Sequence, residues 1–345
     1  MLQSQIPDAI LVQKSTKWSV EKANEWYAKQ PWYVGCNFAP STAINQLEMW
    51  QEESFDLPTI RAELILAKSL GFNIVRVYLH NLLWEEDAEG FKSRIDTFLG
   101  VTDELGIKVL FVLFDDCWNH TANLGAQPAP KPGVHNSGWV ASPGRSRIVN
   151  KIGWDSLEAY TKDILSTFSG DDRIVIWDLY NEPGNEQMGD LSMDLLNKVF
   201  EWAWEVRPTQ PLTSATWNAE LVNLNPVQHR NSDIITFHNY KDADNLEEEI
   251  QSLASYQRPI ICTEYMARTS ESFFETHLPI FRKYNIGAIN WGLVAGKTNT
   301  IFPWGSPEGT DEPTVWFHDI FRKDGTPYDE KEVIVIRSIT GAAAN

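Results

Sequence analysis

The chain has 345 residues, of which 43% are hydrophobic and 22% charged, so extended disorder and fibrous repeats are excluded as its main architecture. Its formal net charge of −18 opposes binding to phosphate backbones and anionic lipid headgroups, which argues against nucleic acid or a membrane surface as a partner. Tryptophan, usually a scarce residue, occurs 15 times, and its flat apolar face with a polar N–H suits both core packing and stacking on sugars.

The first 30 residues precede the first predicted strand, and we expect residues 1–30 to form a lead-in that packs on the floor of a single domain spanning 31–345. The opening residues 1–5 lack the basic segment and apolar stretch of a secretion signal. Two cellular locations are compatible with these first residues. The protein is secreted or periplasmic as a mature chain without its signal, or it is cytoplasmic.

Eight short apolar runs rich in β-forming residues recur roughly every 30 to 45 residues, separated by helical patterns. This alternation predicts βα units around a parallel sheet. The predicted strands cover 32–38, 73–79, 108–114, 174–180, 212–217, 234–240, 259–265 and 288–293.

Capping residues and glycines delimit the predicted helices. Asp56 and Pro58 open a helix that Gly71 stops, and the sequence from Asp155 to Glu158 predicts a capping box that opens the helix ending near Gly170. Further helices are predicted at 91–105, 191–206, 246–256, 271–284 and 314–321.

Eight alternations in a chain of this length predict one (β/α)8 TIM barrel with extended βα loops. An open doubly wound sheet is the alternative, because one sequence does not reveal the order of the strands. The segment 119–152 is rich in Pro, Gly, Asn and Ser, so we expect a long loop after the third strand. In a barrel, that loop lies on the C-terminal face, where substrates bind.

Two glutamates stand where predicted strands end: Glu182 after the fourth strand and Glu264 at the end of the seventh. Carboxylates at a barrel mouth are costly unless they are paired, hydrogen bonded or functional. Two that face each other across the mouth suit glycosidic bond cleavage, with one acid protonating the leaving oxygen and one carboxylate attacking the anomeric carbon. The alternative is that each is a solvated charge at a strand end.

Neighbouring residues suggest which glutamate takes which role. Arg76 lies inside the second strand on the same face as Ile74 and Tyr78, and an arginine there needs an anionic partner. A guanidinium beside Glu264 would hold that carboxylate ionised as the nucleophile, whereas Glu182, facing a negative neighbour, would have a raised pKa and act as the general acid. A structural salt bridge from Arg76 to a helix is the alternative.

Three further residues at strand ends are candidates for substrate binding. His238 and Tyr240 share a face at the end of the sixth strand, where Tyr240 would hydrogen bond the nucleophile and His238 would contact a sugar hydroxyl or tune the acid. Trp291 ends the eighth strand, and its indole would form the floor of a sugar subsite. Taken alone, the histidine and the tryptophan are each more typical of a packed core than of a binding site.

The ordered set of Arg76, Asn181-Glu182-Pro183, His238-Asn239-Tyr240, Glu264 and Trp291 resembles clan A glycoside hydrolases, most closely glycoside hydrolase family 5. The resemblance extends over about residues 31–300, that is, over all eight predicted strands. It implies that Glu182 is the acid/base, that Glu264 is the nucleophile and that Asn181 binds the 2-hydroxyl of the sugar.

The end of the third strand departs from the family pattern. Many members carry a histidine there, whereas this chain has Asp115-Asp116-Cys117-Trp118-Asn119, which looks more like the corresponding segment of β-mannanases with aspartates in place of asparagines. We expect Asp116 and Trp118 to contact substrate. The alternative is that one aspartate caps the loop and the other is solvated.

These observations predict a retaining glycoside hydrolase that acts without a cofactor or metal on a neutral β-linked polysaccharide or oligosaccharide of β-mannan, β-glucan or xylan type. The 7 histidines form no His-x-His or His-Glu-x-x-His pattern, and no glycine-rich phosphate loop follows a strand. A transglycosidase with the same site and a non-catalytic sugar-binding barrel are the alternatives. The sequence indicates neither the sugar nor the oligomeric state.

Overall fold

The computed structural model describes residues 17–342, and these residues contain eight parallel strands. Each strand overlaps a predicted one but is shorter than predicted by two to four residues, because ladder pairing ends before the apolar run does. The strands are β1 (Val34–Asn37), β2 (Ile74–Tyr78), β3 (Lys108–Val112), β4 (Ile174–Asp178), β5 (Leu212–Thr213), β6 (Ile235–His238), β7 (Ile260–Glu264) and β8 (Gly287–Asn290).

The strands alternate with helices that cover the outside of the sheet. The helices are α1 (Val20–Tyr27), α2 (Gln46–Trp50), α3 (Leu57–Ser69), α4 (Asn81–Glu104), α5 (Arg145–Asn150), α6 (Trp154–Thr167), α7 (Met193–Val206), α8 (Leu224–Asn231), α9 (Ala243–Leu253), α10 (Phe274–Lys283) and α11 (Glu330–Thr340).

The sheet runs in the order β5-β4-β3-β2-β1-β8-β7-β6, so each strand pairs with its sequence neighbour and β1 pairs with β8. A parallel bridge between Thr216 and Phe237 joins the two ends of this order. The Thr216 N–H donates to the carbonyl of Thr236, and the His238 N–H donates to the carbonyl of Thr216. The sheet therefore closes into the predicted (β/α)8 TIM barrel.

The strands are buried on both faces, as expected for a parallel sheet covered by helices. Side chains alternate between an inner layer that fills the barrel and an outer layer under the helices. The inner layer includes Ile74, Leu110, Ile176, Ile261 and Ile289. Because side chains two residues apart share a face, Arg76 and Tyr78 follow Ile74 along the inside of the barrel towards its C-terminal mouth.

Two expectations about helices were wrong. Residues 314–321 are not helical, because their backbone donors bond to the loop after β8: the Phe317 N–H donates to the carbonyl of Ile301 and the Ile320 N–H to that of Leu293. The capping box is absent as well. Helix α6 follows Gly153, at φ +66°, and makes no side-chain cap hydrogen bond.

The described part of the lead-in, residues 17–30, lies at the N-terminal end of the barrel. The Trp18 N–H donates to Asp233 Oδ1 at 2.6 Å, just before β6, and Tyr27 donates to the carbonyl of Asn285, just before β8. Residues 1–16 of the lead-in are outside the described residues, and its separation from the domain at 31–345 stays a prediction. Within residues 17–342, none of the helices has the length and apolar character to cross a bilayer.

Candidate active site

A cavity of about 1050 Å³ opens at the C-terminal ends of the strands. Its size is at the upper end of the range of ~300–1,000 Å³ typical of ligand sites. The side chains that line it come from the ends of β2, β4, β6 and β7 and from the loops after β3, β5 and β8. The tryptophans that line it are Trp118, Trp139, Trp217, Trp291 and Trp304.

Glu264, the last residue of β7, is held from several sides by donors. Its Oε1 accepts from Arg76 Nη1 and from the Tyr78 hydroxyl, each at 2.8 Å, and its Oε2 accepts from the Tyr240 hydroxyl at 2.8 Å. The side chain is 6% exposed, so a full positive charge and two phenols replace the water it would otherwise bind. The predicted contact between Tyr240 and Glu264 is present in the structure.

Arg76 organises this side of the site from the inside of the barrel. It is fully buried, and beside Glu264 it donates to Asp178 Oδ2 at 2.7 Å, to Asn181 Oδ1 at 2.6 Å and to Asn37 Oδ1 at 2.9 Å. The two carboxylates raise the pKa of the guanidinium although burial acts in the opposite direction. A buried arginine shared in this way fixes the carboxylate of Glu264 and the amide of Asn181 in one geometry.

Glu182 lies in a turn just beyond β4 and has a left-handed backbone at φ +45°, which non-glycine residues adopt mainly where their surroundings enforce it. Its Oε1 lies 2.6 Å from His238 Nδ1. Its Oε2 accepts from Asn185 Nδ2 at 2.6 Å and from the Cys117 thiol at 3.1 Å.

Burial raises the pKa of Glu182, and the hydrogen bonds from Cys117 and Asn185 oppose that rise. The direction agrees with the sequence prediction, but the main cause is desolvation and not a negative neighbour. Burial also lowers the pKa of His238 to about 4, so its ring is neutral at neutral pH. The three side chains that contact Glu182, those of His238, Asn185 and Cys117, are therefore uncharged.

The two carboxylates approach each other closely. One oxygen of Glu182, one oxygen of Glu264 and a ring nitrogen of His238 lie within 4.8 Å of one another, the one such group of possible metal ligands among residues 17–342. The donors already on Glu264, with the Arg76 guanidinium 2.8 Å away, account for the negative charge that a divalent cation would neutralise. The arrangement therefore matches a pair of cooperating carboxyl groups better than a metal site.

The two aspartates after β3 have different surroundings. Asp115 lines the cavity, accepting from Trp139 Nε1 at 2.8 Å and from Asn181 Nδ2 at 2.9 Å, and burial raises its pKa to about 8. The structure does not bring Asp116 to the cavity. It is fully buried, and its oxygens accept from Tyr180, the Gly184 N–H and Ser192. Neither aspartate is solvated, so the alternative of a capping and a solvated residue also fails.

The other predicted binding residues meet at the cavity. Asn181, His238, Tyr240, Trp118 and Trp291 all line it. The Trp291 ring packs edge to face against Tyr78 and Trp139, with ring centroids 5.9 and 5.8 Å away. This packing places a rigid aromatic surface beside Tyr78, which donates to Glu264.

Sequence reasoning missed several residues of the site. Tyr78 shares the inner face of β2 with Arg76, and this two-residue alternation was a signal that could have identified it as a donor to Glu264. Asn185 follows Glu182 by three residues but has no strand or helix pattern that predicts its contact. Cys117 gave no signal, because an apolar neighbourhood predicts only a buried thiol.

Comparison with known proteins adds a family and a set of similar folds. Residues 35–296 match the model of the family Cellulase (glycosyl hydrolase family 5). A search of curated protein sequences gave no match.

The similar solved structures share low sequence identity with this chain. The endo-β-1,4-mannanase of Thermotoga petrophila has 14% identity and a TM-score of 0.60, over 92% of this chain and 77% of that one. A GH5_18 variant from Streptomyces cattleya in complex with Manβ1-4GlcNAc has 11% identity and a TM-score of 0.61, over 89% and 80%.

A calcium-binding mutant of Bacteroides uniformis β-glucuronidase 2 has 14% identity and a TM-score of 0.58 over 91% of this chain. This chain spans only 35% of that protein's length. At these identities, the similarity shows the fold. The family match covers well over half of the chain and includes Arg76, Glu182 and Glu264. The chain belongs to glycoside hydrolase family 5.

Proposed function

We propose that this glycoside hydrolase cleaves β-glycosidic bonds with retention of configuration, with Glu182 as the acid/base and Glu264 as the nucleophile. The supporting observation is the separation of the two side chains, whose nearest ligand oxygens lie within 4.8 Å. Retaining enzymes hold the two carboxyl groups about 5–5.5 Å apart, whereas inverting enzymes leave ~6.5–9.5 Å for a water molecule.

In the first step, the Glu182 carboxyl group donates its proton to the glycosidic oxygen while a Glu264 oxygen attacks the anomeric carbon. The bond from that carbon to the leaving oxygen breaks, and a glycosyl ester of Glu264 forms. In the second step, the Glu182 carboxylate takes a proton from a water molecule that attacks the same carbon. The ester bond breaks, and both side chains return to their starting states.

The surroundings of the two side chains support this division of roles. Burial raises the pKa of Glu182, which favours the protonated form that a general acid needs. Glu264 carries the ion pair with Arg76 and two phenol contacts, which orient a charged carboxylate for attack. The fixed amide of Asn181, between Arg76 and Asp115, is a donor and acceptor for a sugar hydroxyl.

We propose a neutral β-linked oligosaccharide or polysaccharide as the substrate. The chain carries a net charge of −18, and the cavity lining includes the exposed carboxyl groups of Asp242 and Glu248 in addition to Glu264. Lys241 is the one lysine or arginine side chain among the described residues that line it. An anionic sugar would meet unfavourable charge there, whereas uncharged hydroxyl groups fit the amides, phenols and indoles of the lining.

The test is to offer the purified protein β-mannan, xylan, β-glucan and the corresponding aryl β-glycosides, and to follow the products by size and by NMR. We expect hydrolysis of at least one substrate with the β anomer formed first. Release of the α anomer first would contradict retention. Products longer than the substrate would favour the transglycosidase, and binding without turnover would favour the non-catalytic barrel.

A further inference from the structure

Three loops on one side of the barrel mouth interlock into a continuous wall. They are the β1 loop (38–45), the β3 loop (113–144) and the β8 loop (291–321), named after the strands that they follow. We refer to them together as the loop wall. Strands β1 and β2 separate β3 from β8 in the sheet, so a connection between the β3 and β8 loops must cross that side of the mouth.

The β3 and β8 loops are joined by a seam of hydrogen bonds. The Asn136 N–H donates to the carbonyl of Thr298 at 2.8 Å, and the Gly309 N–H donates to the carbonyl of Pro132 at 2.8 Å. The Asn299 side chain donates to the carbonyls of Lys131 and Val134 at 2.9 and 3.3 Å. These bonds hold two irregular segments together where neither has a regular ladder of its own.

The β1 loop bonds to both of the other loops. Asn45 Nδ2 donates to the carbonyl of Gly138 in the β3 loop at 2.8 Å, and the Lys297 N–H of the β8 loop donates to the carbonyl of Ser41 at 3.0 Å. The approach at Gly296 is so close that an added Cβ would lie 2.4 Å from the Cα of Ser41. The three loops therefore contact one another pairwise.

The wall stands one aromatic ring away from the nucleophile. Trp139 of the β3 loop packs edge to face on Tyr78, with ring centroids 5.1 Å apart, and Tyr78 donates to Glu264. On the other side, Trp304 of the β8 loop packs edge to face on Tyr240, at 5.0 Å, and Tyr240 also donates to Glu264. A sugar ring beside Glu264 thus meets the wall directly.

The opposite end of the cavity is open. The lining residues there follow β5 and β6 and are exposed at Ala219, Lys241, Asp242, Glu248 and Ser252. Trp217, at the start of this open end, donates from its Nε1 to the carbonyl of Pro183, the residue after Glu182, at 3.4 Å. Cys117, at the beginning of the β3 loop, also contacts Glu182, but the interlocked part of the wall lies farther along that loop, at residues 131–138. A general acid must stand beside the leaving oxygen, so the leaving group extends towards the open end and the attacked sugar lies at the wall.

We infer that the enzyme acts on chain ends and releases one monosaccharide at a time from the non-reducing end. This inference rests on the proposed function. The attacked sugar is the one on the non-reducing side of the broken bond. We assign the loop wall as the barrier to a further sugar beyond it, because its Trp139 and Trp304 pack on the two tyrosines that hold Glu264. The open end accepts leaving groups of different lengths. Internal bonds of a long chain are therefore not reached.

The first test uses the β-linked substrate that wild-type protein cleaves in the panel above. We expect the monosaccharide to be the sole early product and the viscosity of the polymer to fall slowly as reducing ends accumulate. An oligosaccharide methylated at O4 of its non-reducing end should react about 100-fold more slowly or worse, since a clash of roughly 3 kcal/mol at the wall is enough for that ratio. Early oligosaccharide products with a fast fall in viscosity would overturn the inference while leaving the proposed function intact.

Absence of turnover on every substrate would overturn the proposed function and this inference together, so the two failures are distinguishable. The second test loosens the seam with Asn299→Ala, which removes two hydrogen bonds between the β3 and β8 loops. The matched control is Asn24→Ala, because Asn24 Nδ2 likewise bonds two carbonyls, those of Val20 and Gln257, at the far end of the barrel.

The measured quantity is the rate on the O4-methylated substrate divided by the rate on the unmodified one. We expect this ratio to rise about tenfold in Asn299→Ala, which corresponds to an activation free energy for the methylated substrate that is lower by ~1.4 kcal/mol relative to the unmodified one. In Asn24→Ala, we expect the ratio to stay at the wild-type value. Equal ratios in all three proteins would overturn the assignment of the loop wall as the barrier.

Discussion

The surroundings of Glu264 and Glu182 differ although both side chains are buried glutamates at the same barrel mouth. Glu264 accepts from an arginine and two tyrosines, whereas Glu182 contacts a neutral histidine, a thiol and an amide. Glu264 is held in an ion pair with an arginine, whereas burial raises the pKa of Glu182 against the opposing effect of its weak neutral donors. In the proposed mechanism, the surroundings of each glutamate, and not its residue type, therefore assign its role.

The two positions also differ in how the backbone supports them. Glu264 is the last residue of a regular strand, and its carbonyl accepts from the Asn239 N–H at 3.0 Å beside β6. Glu182 follows its strand in a turn at φ +45° that precedes Pro183. The sheet itself therefore places Glu264, whereas a local and strained turn places Glu182.

The largest expected effect is that of Glu264→Gln. It removes the attacking oxygen's charge but keeps the shape of the side chain, and we expect kcat to fall by roughly 10⁵-fold or more, in line with the loss of nucleophiles in other covalent mechanisms. Steady-state kinetics on the best substrate measures the loss. The control is Glu332→Gln, which breaks another Glu–Arg pair, with Arg268, outside the cavity and should leave kcat unchanged. Equal kcat values in Glu264→Gln and wild type would remove the nucleophile assignment.

A smaller and substrate-dependent effect is expected for Glu182→Gln. A leaving group that needs a proton should be released about 10²–10⁴-fold more slowly, because general acid catalysis contributes that much. An aryl glycoside with an acidic phenol should lose much less in the first step, since its phenolate leaves without a proton. Rates for both kinds of leaving group therefore distinguish the acid from the nucleophile. A uniform loss on all leaving groups would contradict the contrast drawn between the two glutamates.

The smallest expected effect concerns the thiol beside the acid. The Cys117 hydrogen bond favours the charged form of Glu182, so Cys117→Ala should raise the pKa of Glu182 further. Because the acid is lost on deprotonation, the alkaline limb of kcat/KM should move to higher pH, by roughly half a pH unit for a weak S–H donor.

The measurement is the pH profile of kcat/KM for the variant and two references. Cys117→Ser keeps a donor and should return the alkaline limb towards its wild-type position. Cys36→Ala removes another buried thiol, in β1, without contact to Glu182, and should not move the limb. A shift to lower pH in Cys117→Ala would show that the thiol opposes the charged form instead.

Prediction from the sequence was most successful where local pattern determines structure. The apolar runs, and the helical patterns that separate them, predict all eight strands. They also predict that Glu182 and Glu264 lie at the mouth of the barrel. Prediction failed for residues 314–321, where hydrogen bonds to a segment 16 to 28 residues earlier in the chain replace those of a helix. The miss at Asp116 has the same origin. Its partners Tyr180, Gly184 and Ser192 all come from another βα unit.

The sequence by itself determined the eight βα alternations, the family resemblance and the candidate catalytic pair, because these depend on strand periodicity and on residue types at strand ends. Only the tertiary structure decided that the sheet closes into a barrel, and what surrounds that pair. The Arg76 network, the thiol on Glu182 and the wall formed by three loops each join residues far apart in the chain. Such contacts depend on barrel closure and loop packing, which leave no periodic signal in the order of the residues.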